Sequence, residues 1–383
     1  MDASLNEKLS QVKWGEFRLG DLFDVISYKK RFDANKVDIK KNGKYPYVVR
    51  TSSNNGQRGF IVEDESFLNE GNTISFGQDT ATMFYQEIPY FTGDKIKILK
   101  AKDKRFNKKN AQFFLSTMVN SFSSFSWGGS RFNVDIIKNQ NVSLPYKNGE
   151  IDFDFMETFI EELEAERITD LSIYLKVSGL DDYRLTGEEE QSLNRFQTLE
   201  WKLYKIGELF EKLSTKKLPY KAKDLPDRVT DNYVLPCLTS SFKNQGLNYY
   251  APKENATILK NVISIPSNSD VYKAYYQSRE FTVLSDAYAI DWKFDRAELT
   301  NYQYLFMVMC INKVTDLPKY SYKMKLGGWN VVKNIDIALP VQNGKIDLSF
   351  MDNFINAISK STIQDVVKYV DKKTDISKPT IQK

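Results

Sequence analysis

Histidine is absent from the 383 residues, cysteine occurs only at Cys237 and Cys310, and the longest apolar run, Tyr304 to Ile311, falls far short of a bilayer span. Without histidine there can be no Ser-His-Asp triad, no His-Asn-His nuclease centre and no His-Glu-x-x-His zinc site. Two distant cysteines with no CxxC provide neither a disulfide framework nor a zinc site of standard spacing. Pro-Pro occurs nowhere, which removes the Asn/Asp-Pro-Pro-Tyr signature of amino methyltransferases. Neither Gly43-Lys44 nor Gly344-Lys345 has a glycine five positions before its own, so no Walker A loop is encoded and no metal-nucleotide motor is expected. Met1 to Gln11 is polar and lacks the apolar core of an export signal, and a cytoplasmic location is the expectation.

What is present describes a folded chain. Hydrophobic residues make up 41% and charged residues 27%, with mean hydropathy −0.48. The length suits two domains of roughly 150 residues, each burying its own core. With 54 basic and 50 acidic residues the formal charge is +4, which permits contact with nucleic acid without requiring it.

The chain is written twice. Ser4-Leu5-Asn6 leads to Trp14 as Ser192-Leu193-Asn194 leads to Trp201, and Phe17, Gly20, Leu22 and Phe23 fall on Tyr204, Gly207, Leu209 and Phe210. Thr51-Ser52-Ser53 then Asn55-Gly56 match Thr239-Ser240-Ser241 then Gln245-Gly246, and Asn72 to Ser75 match Asn261 to Ser264. Tyr85-Gln86 and Phe91-Thr92 match Tyr276-Gln277 and Phe281-Thr282, and a Gly-Gly follows at 128–129 and 327–328. Leu144-Pro145, Asn148-Gly149, Ile151-Asp152 and Phe155-Met156 match Leu339-Pro340, Asn343-Gly344, Ile346-Asp347 and Phe350-Met351. Chance supplies any one pair, but not so many in one order; drift between the copies belongs to insertions in loops.

Each copy reads as an α+β domain. A strand and a short helix are expected over Trp14 to Ile26 and over Trp201 to Leu213. Short β runs follow at Tyr45 to Arg50, Thr73 to Phe76, Lys95 to Leu99 and Val142 to Leu144, with counterparts at Tyr233 to Leu238, Val262 to Ile265, Ala287 to Trp292 and Ile337 to Leu339. A helix is expected at Lys108 to Asn120 and Asn301 to Ile311. Apolar residues then recur at helical spacing from Met156 and from Met351, each stretch opened by a capping-box pair, Asp154 with Glu157 and Ser349 with Asp352. These long helices could pack on their own domains or on each other.

For carboxylate-metal nuclease chemistry the only plausible cores are Asp38-Ile39-Lys40 and Asp291-Trp292-Lys293, at non-equivalent places, and both read as strand-edge charges. Glu161-Glu162 and Glu188-Glu189-Glu190 read as solvated helix faces. No catalytic residues and no metal ligands are assigned.

The paired phrases Trp14, Phe17, Leu19-Gly20-Asp21-Leu22-Phe23 and Trp201, Tyr204, Ile206-Gly207-Glu208-Leu209-Phe210, each ending in Leu-Pro, Asn-Gly and a long helix, resemble the specificity subunits of type I restriction-modification systems; BcgI-like type IIB specificity subunits are similar. The resemblance covers nearly the whole chain. It implies two tandem target recognition domains in pseudo-two-fold arrangement, at 1–150 and 188–345. A central spacer helix and connection (151–187) and a C-terminal spacer helix (346–375) would pair as an antiparallel coiled coil. The polar, proline-containing end, 376–383, departs from the family and is expected to be a disordered tail with no assigned role. It implies a non-catalytic chain that reads a bipartite site in double-stranded DNA and docks adenine-N6 methyltransferase subunits. Those subunits would carry S-adenosylmethionine, with no cofactor on this chain, and would link it to an ATP-dependent restriction or translocase subunit. Helix docking would use Met156, Phe159, Ile160 and Leu163, and Met351, Phe354, Ile355 and Ile358.

DNA contacts are expected from polar loops, since bases are read by amide, guanidinium and hydroxyl groups. In the first copy the candidates are Ser52, Ser53, Asn54, Asn55, Gln57, Arg58, Gln78, Thr80, Arg131 and Asn133. In the second they are Ser240, Ser241, Lys243, Asn244, Gln245, Asn268, Tyr272, Lys273, Lys319, Tyr322 and Lys323. Each could equally be an ordinary polar turn, and Tyr85 and Tyr276 fit core packing as well as DNA. The competing functions are a repeated scaffold binding protein or glycan, and a metal-dependent nuclease.

Overall fold

A computed structural model describes residues 3–123, 133–267, 272–294, 299–321 and 323–377. The described chain separates into one unit running to Tyr174, joined by residues from Lys372 onward, and a second from Leu175 to Asp371; both boundaries fall inside long helices.

The first unit contains α1 (Ala3–Gln11), β1 (Trp14–Arg18), α2 (Leu19–Leu22), β2 (Phe23–Ser27), β3 (Pro46–Val48), β4 (Gln57–Phe60), β5 (Thr73–Gly77), β6 (Met83–Gln86), β7 (Phe91–Thr92), β8 (Ile96–Ala101), α3 (Ala111–Phe122), α4 (Val134–Asn139), β9 (Asn141–Lys147), β10 (Glu150–Ile151) and α5 (Phe153–Val177). The second repeats that order: α6 (Gly187–Arg195), β11 (Glu200–Lys205), α7 (Ile206–Leu209), β12 (Phe210–Lys212), β13 (Leu235–Leu238), β14 (Leu247–Ala251), β15 (Val262–Pro266), β16 (Tyr275–Gln277), β17 (Thr282–Val283), β18 (Ala287–Trp292), α8 (Asn301–Thr315), α9 (Trp329–Val332), β19 (Asp336–Gln342), β20 (Lys345–Ile346) and α10 (Leu348–Ser377).

Strand pairing repeats with it. The sheets are ordered β1-β9-β10, β2-β8-β5-β6 and β4-β3-β7 in the first unit, and β11-β19-β20, β12-β18-β15-β16 and β14-β13-β17 in the second. Even the irregularities recur: a register shift sits between Tyr47 and Val48 and between Cys237 and Leu238, where β3 meets β4 and β13 meets β14. Sequence reading places the main strands but leaves out β4, β6, β7, β10 and their counterparts, which are short, and β2 and β12, which follow the short helix where only one strand and a helix are expected.

The Leu-Gly-Asp-Leu-Phe phrase has a steric reason. A Cβ on Gly20 would lie 2.9 Å from Lys138 Cβ and 3.0 Å from its carbonyl oxygen, and one on Gly207 would lie 2.9 Å from Lys333 Cβ and 2.8 Å from its oxygen. Only glycine lets the short helix pack this closely on the segment before β9 or β19. The glycine carbonyls are then capped by lysine ammonium groups, Lys102 on Gly20 at 2.7 Å and Lys293 on Gly207.

The helix starts differ from the expected capping boxes. Asp152 accepts from the Phe155 N–H and Asp347 from the Phe350 N–H, both at 2.9 Å, so the cap lies two residues before Asp154 and Ser349. Glu157 and Asp352 instead accept from Asn110 Nδ2 and Gln303 Nε2, each at 2.9 Å, tying α3 and α8 to the long helices. Met156, Phe159, Met351, Phe354 and Ile355 are buried within their own units' cores, so these five build domain core rather than docking surface; Ile160 and Leu163 are half-buried and Ile358 is exposed.

Two charge readings are corrected. Glu189 is 3% exposed, accepting from Asn356 Nδ2 at 2.6 Å and Lys360 Nζ at 3.0 Å, because α6 packs on α10 along this side chain. Asp291 is buried on β18 and accepts from the Tyr304 hydroxyl at 2.8 Å, an interior hydrogen bond and not a strand-edge charge. Glu161 and Glu162 do sit on the surface, paired with Lys109 and Lys8.

Candidate nucleic-acid interface

The loop after β3 and the loop after β13 have one backbone. Val49 N–H donates to the Gly56 carbonyl at 2.8 Å and Thr239 N–H to the Gly246 carbonyl at 3.0 Å, with the same number of residues between. Each loop ends in three successive left-handed residues, Asn54, Asn55 and Gly56 (φ 48°, 54° and 75°) and Asn244, Gln245 and Gly246 (47°, 56° and 90°). Asparagine and glycine tolerate this region best, which is why they recur here.

A glutamine on the neighbouring strand holds each turn. Gln86 Nε2 donates to the Asn55 carbonyl at 3.1 Å and to Ser75 Oγ at 3.0 Å; Gln277 Nε2 donates to the Gln245 carbonyl at 3.0 Å and to Ser264 Oγ at 2.9 Å. Asn55 Nδ2 returns a bond to the Tyr85 carbonyl at 3.0 Å in the first unit, and the Tyr275 hydroxyl donates to the Phe242 carbonyl at 3.0 Å in the second. A loop so fixed presents its side chains from a preorganised backbone.

This geometry corrects the sequence pairing of Thr51-Ser52-Ser53 with Thr239-Ser240-Ser241. The backbone register equates Arg50 with Ser240, Thr51 with Ser241, Ser52 with Phe242, Ser53 with Lys243 and Arg58 with Asn248, a slip of two residues. Phe91 likewise pairs with Thr282 and not Phe281, since Gly93 and Leu284 make the same bond to Val48 and Leu238.

In the first unit the loop borders an open cleft of about 960 Å³ lined by Arg31, Asp33, Arg50, Thr51, Ser53, Gln57, Arg58, Thr80 and Asp94 among others. Asp79 accepts from both Arg50 and Lys95, the latter at 2.7 Å, and Arg31 lies 3.5 Å from Asp94. Lys95 corresponds to Asp286 in the second unit, because Gln78 N–H donates to the Lys95 carbonyl as Ser267 N–H donates to that of Asp286. At the positions of Arg50, Arg58 and Lys95 in the first copy the second therefore carries a hydroxyl, an amide and a carboxylate, Ser240, Asn248 and Asp286.

Of the expected contact residues, Ser52, Ser53, Asn54, Asn55, Arg58, Lys243, Asn244, Gln245, Lys273, Lys319 and Lys323 are exposed, and Gln57, Gln78, Thr80, Ser240 and Ser241 are half-buried. Asn133 caps α4, its Oδ1 accepting from Ile136 N–H at 2.8 Å. Tyr272 is overturned: its side chain is fully buried, ring to ring with Tyr320 at 6.0 Å, and offers nothing to a ligand. Arg131, Asn268 and Tyr322 lie outside the described residues, as does Gly128-Gly129. Tyr85 and Tyr276 donate to Asn72 and Asn261 Oδ1 at 2.9 and 3.2 Å, which accounts for the repeated Asn and Tyr. Sequence reading missed Arg31, Arg50 and Asp94; Arg50 was hidden by the two-residue slip.

Burial pushes the Tyr47, Tyr85, Tyr275 and Tyr276 phenols above their ordinary value, so they stay protonated near neutrality. It also pushes Cys237 and Cys310 up to about 12, far from a reactive thiolate. Among the described residues no group of three or more acidic or thiol side chains could hold a metal ion, and no helix is long and apolar enough to cross a membrane.

The family model for the type I restriction modification DNA specificity domain matches residues 11–172 and 198–369. The type II restriction enzyme BgcI specificity subunit S.BcgI of Heyndrickxia coagulans is 27% identical over 359 residues, 92% of this chain and 96% of that protein. The putative type I specificity subunit S.MpnORF507P of Mycoplasma pneumoniae is 24% identical over 276 residues, covering 70% and 71% of the two chains. The crystal structure of the type I restriction-modification S subunit from M. genitalium shares the fold at TM-score 0.57 and 16% identity, over 95% of this chain and 92% of that one.

Proposed function

Because the chain belongs to the type I restriction modification DNA specificity family, we propose that each of its two units reads one half of a bipartite site in double-stranded DNA for a restriction-modification complex. The observation that carries this is the loop pair after β3 and β13: one backbone, locked in both copies by the same glutamine, bearing different side chains. A small domain reads only a few base pairs, and two unlike domains read an asymmetric split site. The exposed polar residues of the loops, from Ser52 to Arg58 and from Ser241 to Asn248, supply the base and phosphate contacts.

In this reading residues 1–150 and 188–345 are the recognition domains. The remaining turns of α5 and α10 set the distance between the half-sites by pairing; the approach of Lys373 Nζ to Glu164 Oε2 at 3.7 Å supports that pairing. The chain supplies recognition and not chemistry. Adenine-N6 methyltransferase subunits dock on it, bring S-adenosylmethionine, and connect it to the restriction machinery of a type I or type IIB system; Ile160, Leu163 and Ile358 remain open enough to take part.

The test is to co-express the chain with its cognate methyltransferase and map methylated adenines across the host genome. Two short specified blocks around an unspecified spacer support the proposal. A continuous motif, or a stable complex that methylates nothing, contradicts it.

A further inference from the structure

Positions that are identical in the two recognition loops build their frame: Pro46 and Pro236, Asn54 and Asn244, Gly56 and Gly246, with Gln86 and Gln277 behind them. The position after the turn on β4 and β14 differs, Arg58 in one copy and Asn248 in the other. Arg58 also differs from the cations around it. Arg50 and Lys95 share Asp79, and Arg31 faces Asp94, whereas among the described residues Arg58 has no hydrogen-bond or ion-pair partner. It is exposed at the edge of the cleft, directly after a turn that Gln86 fixes.

The carboxylates of Asp33 and Asp94 line that cleft, with Asp79 bound to its Arg50, so a phosphodiester drawn into it meets repulsion as well as attraction. The edge of a base carries no net charge and meets no such repulsion. A guanidinium is a planar fork whose donors match the O6 and N7 acceptors of guanine in the major groove, a contact that discriminates against the other bases. We propose that Arg58 reads a guanine in the half-site of the first unit. This rests on the DNA-reading role proposed above.

The experiment selects bound sequences from randomised DNA duplexes with the full chain in its methyltransferase complex, comparing wild type, Arg58→Ala and Arg58→Lys. Wild type should enrich two blocks, one containing guanine at the position in question. Arg58→Ala should lose preference at that one base pair by about 5- to 150-fold and leave the other block unchanged. Arg58→Lys should keep more affinity than Arg58→Ala yet show the same relaxed position, since charge survives and the fork does not. Uniformly weaker binding with unchanged sequence preference, and a shallower salt dependence, identifies a phosphate contact and overturns the assignment. Unchanged affinity and preference overturn it as well. Failure of the wild type to enrich two blocks is a different result, and it brings down the proposed function along with this assignment.

Discussion

Around the loop after β3 the first unit carries Arg50, Ser53, Arg58 and Lys95; at the same backbone positions the second unit carries Ser240, Lys243, Asn248 and Asp286. Sheet order, left-handed turn and glutamine bond are common to both, and the side chains facing outward are not. The difference runs elsewhere too. Trp201, Leu203, Met309 and Cys310 form an apolar face in the second unit with Phe196 and Phe354, where the first unit has Glu16, Ser116 and Thr117 alongside Trp14. A duplicated frame has kept what its backbone requires and let its surfaces diverge.

The largest break in the comparison should come at Glu189, buried in the second unit, whereas among the described residues of the first unit no carboxylate is buried. Glu189→Ala leaves Lys360, only 15% exposed, without its carboxylate and should cost about 3 kcal/mol. Chemical denaturation followed by hydrogen exchange should show the loss confined to the second unit; equal loss in both would deny its separate stability. Next come Gly20→Ala and Gly207→Ala, which force a Cβ against Lys138 and Lys333 and should each cost about 1–3 kcal/mol. Here the prediction is symmetry, and a tolerant site in either copy would mean that its close approach is not required. Gln86→Ala and Gln277→Ala each remove one hydrogen bond to the loop backbone and one to a serine on the adjacent strand, worth about 1–2 kcal/mol locally. Faster amide exchange should appear at 53–57 and at 243–247 respectively, with the larger change at Gln86, which is 4% exposed against the half-buried Gln277. The smallest effect belongs to Leu203→Glu, which copies Glu16 onto the exposed apolar face. It should shift stability by no more than about 0.5 kcal/mol, read as a melting midpoint.

Much of this frame is legible in the sequence because apolar alternation, turn residues and helical spacing are local and appear twice. Trp14 with Trp201, Gly20 with Gly207 and Asn72 with Asn261 each turn out to occupy equivalent places. Loops are harder, because Thr, Ser and Asn recur in them for turn geometry alone, so the composition of Thr51-Ser52-Ser53 points to Thr239-Ser240-Ser241 while its backbone partners lie two residues further on. Burial of isolated polar groups was invisible too. Glu189 lies in a run of three glutamates and Tyr272 beside a lysine, and nothing local separates the buried member from its exposed neighbours; long-range packing by α10 and by Tyr320 does. The Asp152 and Asp347 caps sit in the repeated Ile-Asp pair, whereas the expected capping boxes start two residues later, at Asp154 and Ser349.

The central claim is that the two units read different halves of one site independently. Its most direct test exchanges residues 14–145 for the matching segment of a relative with a known split motif and maps methylation by the resulting complex. The account predicts that one half of the motif becomes the relative's, while the other half and the spacer stay as they were. A change in both halves, or in neither, would contradict it.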